Sequence, residues 1–310
     1  MAIVSAQNSI NSNIFRTWVI MFFFSLFVTG VVYIFARGYG YDSYSALSMT
    51  GMAFVIAGIM NFLSYYFSDQ MVLGISGAKK VVLADNRELY HLVENLALAD
   101  GLPTPTIYII DDSAPNAFAT GRDPKHAVVC LTTGILDKLN KLELEGVIGH
   151  ELSHIKNRDT LLMSVVSILV GLVALLADWF LRMQWFRGRR RDSEDRGGGG
   201  AIFLVLAIVT AILAPLISSL IQLAISRRRE FLADASSAYL TRNPEGLATA
   251  LAKISADPEP LEAANRATAH LYIANPLKGS EVVGFMAGLF DTHPPANKRI
   301  EVLRQMQGKV

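Results

Sequence analysis

The sequence is poor in cysteine and in charged residues. Its 310 residues include 1 cysteine, which excludes an internal disulfide framework and is typical of a reducing compartment. Charged residues make up 18% of the chain, against about 25% in typical soluble proteins. The 28 basic residues nearly balance the 27 acidic ones, and no nucleotide-binding glycine loop is present. We therefore expect neither nucleic acid nor nucleotide as a partner, because a nucleic-acid-binding protein needs a basic surplus.

Hydrophobic residues make up 52% of the chain and gather in long runs. Four runs have about the 20 residues that a helix needs to cross a bilayer: 14–35, 46–67, 160–180 and 201–225. The first is longer than the apolar region of a signal peptide, and a second run follows it closely, so we interpret it as an uncleaved anchor. The pattern predicts a multi-pass protein of the lipid bilayer.

These runs divide the chain into four parts. Residues 1–67 are predicted to form a membrane hairpin, and 160–225 a second hydrophobic hairpin with an arginine- and glycine-rich loop at 182–200. The soluble segments 68–159 and 226–310 would then lie on one side of the membrane. Basic residues are equally numerous on both sides, so the charge bias does not determine the orientation.

The first soluble segment has the pattern of an α+β domain, and the second is predicted to be mainly helical. A helix over 86–99 precedes three predicted strands, at 106–110, 117–120 and 127–132. Asn140 and Glu143 then form a capping-box pattern at the start of a further helix. The predicted fold is an α-rich α+β integral membrane protein with four hydrophobic helices and a small sheet.

Residues 150–154 read HELSH and carry the clearest chemical signal. On a helix, His150 and His154 lie on nearly the same face, so both imidazoles can reach one Zn²⁺ at about 2.0–2.1 Å. Glu151 lies beside them and can take a proton from a bound water without binding the metal. The motif is short, and two solvated histidines on a surface helix explain these residues equally well when they are taken alone.

A catalytic zinc needs a third protein ligand and an open fourth position. The best candidate is Glu230 in the sequence RRREFLAD, where Asp234 follows at i+4. Asp234 can accept the free N–H of a metal-bound imidazole. The alternative for this pair is an exposed acidic face that pairs with the preceding arginines.

The positions of these residues along the chain favour one site near the membrane. His154 lies six residues before the third run, and Glu230 lies five residues after the fourth. If both helices leave the membrane straight, each ligand lies about 7–9 Å beyond its run, at about 1.5 Å per residue. A zinc site close to the membrane surface is therefore predicted.

Further motifs accompany HELSH and the Glu230–Asp234 pair. They are Asp159, the NAFA sequence at 116–119, the THP sequence at 292–294 and Arg299. Together these motifs resemble the HtpX-type membrane zinc metalloproteases, which are gluzincins related to the CAAX prenyl proteases. The resemblance covers nearly the whole chain and implies a zincin-like metalloprotease domain built on the small sheet.

The resemblance also implies a chemistry and a location. It makes His150, His154 and Glu230 the ligands of one Zn²⁺, and Glu151 the general base and acid. It places the protein in a bacterial cytoplasmic membrane, with its catalytic domain facing the cytosol. The implied substrates are misfolded or damaged membrane proteins, which such enzymes degrade in quality control under stress.

Several other residues are candidates by the same resemblance. Asn116, Ala117 and Phe118 resemble the edge strand beside which substrate backbone lies, although Phe118 is equally explained as a core residue. His293 is either a hydrogen-bond donor to the transition state or a turn histidine before two prolines. Two further residues are candidates for supporting the ligands: Asp159 and Arg299.

Three functions remain open at this stage. A membrane zinc endopeptidase of quality control is favoured. A CAAX-type prenyl-protein processing protease would share the chemistry, but it would be larger and have more spans. A non-catalytic, membrane-anchored peptide-binding module would leave Glu151 without a role.

Overall fold

The computed structural model describes residues 2–38, 40–188, 227–265, 267–276 and 294–310. Three features predicted from sequence lie outside these residues: the fourth hydrophobic run, most of the arginine- and glycine-rich loop, and His293. The division of the chain at 67, 159 and 225 stays a prediction.

The first two hydrophobic runs form a helical hairpin, as predicted. Helix α1 covers Ala2–Gly38 and helix α2 covers Ser43–Ile75, and the carboxylate of Asp42 caps the first turn of α2. Buried Asn61 of α2 donates its amide to the Met21 carbonyl oxygen and the Ser25 hydroxyl of α1, both at 2.8 Å. Both helices are long and apolar enough to cross a membrane.

The outer face of this hairpin is strongly apolar. Its exposed side chains include large aromatic and aliphatic groups of both helices: Phe15, Trp18, Phe22, Leu47, Met52 and Phe54. A soluble monomer rarely exposes an apolar patch of this extent. The described residues of this hairpin therefore have the outer surface of a membrane-embedded element.

The third run forms helix α6, Asp159–Gly188. Residues 161–170 are buried throughout, and they pack against α1, α2 and the segment around Tyr272. The first half of α6 is thus a core helix of the protein. The continuous part of α6 whose side chains the structure describes, Asp159–Val173, is shorter than a membrane span, whereas α1 and α2 have the required length and apolarity.

The four-stranded sheet has the order β1-β2-β4-β3. The three predicted strands are present: β2 at Thr106–Ile110, β3 at Ala117–Thr120 and β4 at Val128–Thr132. β2 and β4 are parallel, whereas β3 pairs antiparallel with β4 and forms an edge of the sheet. The fourth strand, β1 at Lys79–Val81, was not predicted because three residues show no usable periodicity.

The remaining helices enclose the one that carries HELSH. They are α3 at Arg87–Ala99, α4 at Thr133–Lys138, α5 at Lys141–Lys156, α7 at Arg227–Thr241, α8 at Pro244–Ala256 and α9 at Ala296–Gln305. The predicted capping box starts α5, with Asn140 and Glu143 bonding each other's backbone N–H. α5 packs on the sheet and on α7 and α8, and nearly all of its side chains from Glu143 onward are buried.

The expectation that the HELSH helix runs straight into the third run was wrong. α5 ends at Lys156, Asn157 caps it, and Arg158 adopts a left-handed conformation with φ 60° before α6 begins. This turn brings Asp159 back against the end of α5, where its Oδ2 lies 3.0 Å from Nδ1 of His154. The contact with a buried imidazole offsets the cost of the turn, which is unusual for a non-glycine residue.

The segment that links α8 to residue 276 also differs from the mainly helical prediction. It contains only a 3₁₀ turn, Ala269–Leu271, and is otherwise irregular. Ile273 N–H donates to the Ala117 carbonyl oxygen at 2.9 Å, so the segment lies along the outer edge of β3. Pro258 and Pro260 explain why α8 does not continue, because proline lacks the N–H that a helix interior requires.

Gly146 sets how closely α5 approaches α8. A Cβ at this position would lie 2.7 Å from the backbone nitrogen of Leu247 and 2.8 Å from its Cα. We predict that Gly146→Ala destabilises the protein by about 1–3 kcal/mol, because two helix backbones would have to separate. Gly58→Ala is the matched control, since a Cβ at Gly58 meets nothing within 4 Å.

The measurement is the midpoint of thermal unfolding of the detergent-solubilised full chain. We expect a lower midpoint for Gly146→Ala and no decrease for Gly58→Ala. Equal midpoints for both variants would contradict the close helix contact.

Candidate active site

Three buried side chains converge where α5 and α7 face each other. His150 and His154 come from α5 and Glu230 comes from α7, and each is at most 4% exposed. The Nε2 atoms of the two histidines lie 3.1 Å apart. The carboxylate oxygens of Glu230 lie 3.6 Å from Nε2 of His154 and 3.7 Å from Nε2 of His150. The structure thus brings together the three residues that the sequence selected as candidate metal ligands.

These separations fit one tetrahedral metal ion. Ligands at about 2.0–2.1 Å from a tetrahedral Zn²⁺ stand roughly 3.3–3.4 Å from one another, since a tetrahedron's edge is about 1.6 times its centre-to-corner distance. The two Nε2 atoms are 3.1 Å apart, slightly less than that value. The Glu230 oxygens, Oε1 at 3.6 Å from His154 and Oε2 at 3.7 Å from His150, lie slightly farther than that value. Two nitrogen atoms and a carboxylate are also a donor set that zinc accepts. The His-His-Glu cluster is therefore compatible with a zinc ion.

Each histidine is oriented by a second carboxylate on its other ring nitrogen. Nδ1 of His150 lies 2.9 Å from Oδ1 of Asp234, and Nδ1 of His154 lies 3.0 Å from Oδ2 of Asp159. An Nδ1–H donated to a carboxylate leaves the lone pair of Nε2 for a metal. Both Nε2 atoms point to the same place, so the outer carboxylates fix the rings in the arrangement that ligation requires.

Arg299 of α9 lies behind Asp234 and is itself buried. Its Nε and Nη2 donate to the two oxygens of Asp234 at 2.8 and 2.7 Å, a bidentate pair, and its Nη1 donates to the Ile273 carbonyl oxygen at 3.0 Å. Nη1 also lies 3.7 Å from Glu230. Burial raises the pKa of Asp234, but Arg299 and His150 outweigh it and hold that pKa below its usual value. Asp234 therefore stays ionised.

Burial and neighbouring charges move the pKa values of the two histidines in opposite directions. Burial lowers the pKa of His150, and the charge of Arg299 lowers it further. Burial also acts to lower the pKa of His154, but its hydrogen bond to Asp159 and the charge of Glu230 outweigh that effect and raise it. The two imidazoles therefore lie in different electrostatic environments, although their Nε2 atoms are only 3.1 Å apart.

Glu151 lies next to the cluster without joining it. It is 2% exposed, and burial raises its pKa to about 7, even though the charge of His154 and a backbone hydrogen bond from Ala119 act to lower it. A carboxylate with a pKa near 7 can both accept and return a proton at neutral pH. The bond from Ala119 links this carboxylate to the edge strand β3.

Two candidate substrate residues, Ala117 and Phe118, lie on the edge strand β3 and Asn116 immediately precedes it, but all three side chains are buried. Phe118 packs edge-on against the ring of Tyr272, with centroids 5.0 Å apart, so it is a core residue. Asn116 donates its amide to the Ala274 carbonyl oxygen at 3.1 Å. The carbonyl of Ala117 already accepts from Ile273, so part of the outer edge is covered.

Two residues around Asp159 were missed at the sequence level. Arg229 Nη1 and Asn13 Nδ2 donate to Oδ1 of Asp159 at 2.8 and 2.7 Å. Arg229 could have been found from its position next to Glu230. Asn13 could have been noticed as an amide at the start of a strongly apolar helix. His293 lies outside the described residues, so its role stays a prediction.

Comparisons with known proteins agree with a metallopeptidase site. The model of peptidase family M48 matches residues 83–307. The protein named Protease HtpX homolog of Dictyoglomus thermophilum is 44% identical over 298 residues, which cover 96% of this chain and 94% of the relative. The protein of that name from Pyrococcus furiosus is 48% identical over 257 residues, covering 82% and 86% of the two chains.

A solved structure supports the fold. The crystal structure of S. mikatae Ste24p matches with a TM-score of 0.50 and 18% identity, covering 93% of this chain. The match spans 66% of that longer protein. The family model covers most of the chain and the relatives nearly all of it, and the site contains the residues that a metallopeptidase requires. The chain therefore belongs to peptidase family M48, among its HtpX-type membrane metalloproteases.

Proposed function

We propose that this protein is a zinc-dependent endopeptidase that cleaves misfolded or damaged membrane proteins. The observation that carries the proposal is the convergence of His150, His154 and Glu230, with Glu151 beside them. A peptide-binding module would not need this cluster. A prenylated peptide as substrate, the other alternative, is favoured by no contact among the described residues.

The geometry of the site suggests a separate role for the metal ion, for Glu151 and for the two carboxylates that contact the histidines. Zinc held by the two histidines and Glu230 would polarise the scissile carbonyl and lower the pKa of a coordinated water to about 7. Glu151 takes the proton of the attacking water and passes it to the leaving amine, a role that suits its pKa of about 7. The ion pairs of Asp234 and Asp159 keep both imidazoles fixed while this proton moves.

The substrate is proposed to bind as an extended strand along β3. In the register with β4, the Asn116 carbonyl accepts from Thr132 whereas that of Ala117 faces the outer edge, so Ala119 also faces outward. Ala119 is the outward-facing residue that contacts Glu151. A peptide paired there would bring its backbone, with little dependence on its sequence, towards the catalytic carboxylate.

The position of the site defines the substrate class. Asp159, which supports His154, contacts Asn13 at the start of the apolar part of α1. The proposed site would therefore lie close to the lipid headgroups, within reach of loops and tails of other membrane proteins. We further propose that the membrane is the bacterial cytoplasmic membrane, that the domain faces the cytosol and that the role is quality control under stress.

The first prediction concerns Glu151. Glu151→Gln should abolish peptide hydrolysis and keep zinc, because Glu151 handles the proton and is not a ligand. Casein cleavage and zinc content of the purified full chain are the two measurements. Glu145→Gln, on the same helix α5, is the control and should keep both. Loss of zinc in Glu151→Gln would move this residue among the ligands and refute the role.

The second prediction distinguishes the proposed metal ligand Glu230 from Asp234, which contacts only a ligating histidine. Glu230→Ala should lose zinc affinity strongly, since only two ligands remain. Asp234→Ala should lose about 10–100-fold, the range of residues that orient a ligating histidine. Competition with a chromophoric chelator measures both, and Glu245→Ala, which removes a carboxylate paired with Arg304 on the protein surface, should change nothing. Parent-like affinity in Glu230→Ala would show that the third ligand is elsewhere.

The third prediction concerns where cleavage occurs. A model membrane protein carrying an unstructured tail should be cut near the membrane, even when the tail is short. Folding that tail into a stable domain should stop cleavage, because β3 can accept only an extended strand. Mass spectrometry of the products in proteoliposomes locates the cuts. Efficient cleavage inside the folded domain, or only on the side opposite the catalytic domain, would refute the proposed site position.

A further inference from the structure

Asn13 is a buried amide on the membrane helix α1 that uses both polar atoms of its side chain. It is 2% exposed. Its Nδ2 donates to the Asn157 carbonyl oxygen at 2.9 Å and to Oδ1 of Asp159 at 2.7 Å. Its Oδ1 accepts from Nη1 of Arg229 at 2.7 Å. One side chain of α1 therefore joins three separate parts of the chain.

Each of these partners is attached to a candidate metal ligand. Asp159 accepts from Nδ1 of His154 through its other oxygen, Oδ2. Arg229 precedes Glu230 on α7, and its Nη1 donates to Oδ1 of Asp159 at 2.8 Å. Asn157 is the residue that caps α5, one helical turn after His154. Asn13 is thus one contact away from the elements that hold two of the three ligands.

We propose that Asn13 is a positioning residue for His154 and Glu230, so that the membrane helix α1 is a structural part of the metal site. This role rests on the proposed zinc site. Without Asn13, Oδ1 of Asp159 keeps the guanidinium of Arg229 as a donor but loses the amide, and the part-buried Asn157 carbonyl also loses its bond from Asn13. Asp159 can then turn towards Arg229, and the imidazole of His154 loses a fixed partner.

The amide is chemically suited to this place. An asparagine side chain offers two N–H donors and one carbonyl acceptor, and all three are matched by the two oxygens and the guanidinium around it. An aspartate of the same size would keep the acceptor for Arg229 but would place a second carboxylate against Asp159. Asn13→Asp therefore tests the hydrogen-bond pattern without leaving a cavity.

Asn61 provides a matched control. It is also a buried asparagine in the membrane hairpin, and it also makes two hydrogen bonds between elements, to Met21 and Ser25. None of its partners contacts a candidate ligand. If Asn13 only helped α1 to dock, Asn61→Ala and Asn13→Ala should have the same consequences for metal binding.

The experiment compares zinc affinity in the full chain purified in detergent. Chelator competition should show roughly 3- to 10-fold weaker binding for Asn13→Ala and Asn13→Asp, less than the loss of about 10–100-fold typical of a residue that contacts a ligating histidine directly. Asn61→Ala should bind zinc like the parent protein. The absorption spectrum of the Co²⁺-substituted protein should shift in the Asn13 variants and not in Asn61→Ala.

Two outcomes would overturn the role. Equal zinc affinities and Co²⁺ spectra for the Asn13 and Asn61 variants would show that Asn13 only packs α1. Full additivity of Asn13→Ala with Asp159→Asn would show that Asn13 does not act through Asp159, because residues of one network are expected to be non-additive. A parent protein that binds no zinc would refute the metal site itself, and this role with it. That result is distinct from the other two.

Discussion

The geometry of the candidate site depends on two buried carboxylates, each of which fixes the orientation of one histidine ring. Asp234 contacts Nδ1 of His150, and Asp159 contacts Nδ1 of His154. Both Nε2 atoms therefore face Glu230. Neither carboxylate is free to move, because Arg299 holds the first and Arg229 holds the second. Buried charges are tolerated only when they are paired in this way. The arrangement explains why α9, at the end of the chain, packs against a site that begins in α5.

The chain encloses this cluster between a sheet edge and a membrane hairpin. β3 supplies the backbone that reaches Glu151, and α1 supplies the amide that reaches Asp159. Under the proposed function, a peptide along β3 and the bilayer around α1 would approach the site from two sides. The contact of Asn13 with Asp159 connects the candidate metal site to an apolar helix of the hairpin.

Much of the site could be predicted from the sequence, because its parts are local. HELSH fixes two imidazoles by helical periodicity, and Glu230 with Asp234 repeats the same spacing. The capping box at Asn140 and three of the four strands of the sheet are also predicted from short stretches of sequence. The contacts that complete the site could not be predicted in this way. Asn13 meets Asp159 across 146 positions of sequence, and no local pattern encodes such a distance.

The turn at Arg158 could not be predicted for the same reason, because it depends on a contact that local sequence patterns do not encode. A non-glycine residue with positive φ is unfavourable by itself, and only the contact of Asp159 with His154 explains it. The site position predicted from the sequence assumed a straight helix between His154 and the third run, whereas the structure has a turn there. Arg299 was a candidate by resemblance alone, because its partner Asp234 lies 65 positions earlier in the sequence.

The most direct test of this account is X-ray absorption spectroscopy at the zinc edge of the metal-loaded full chain. The account predicts one zinc per chain, nitrogen and oxygen atoms at about 2.0–2.2 Å, and scattering from two imidazole rings. A third imidazole would assign a ligand role to His293, and a sulfur at about 2.3 Å would assign one to Cys130. Either result would contradict a site formed by His150, His154 and Glu230.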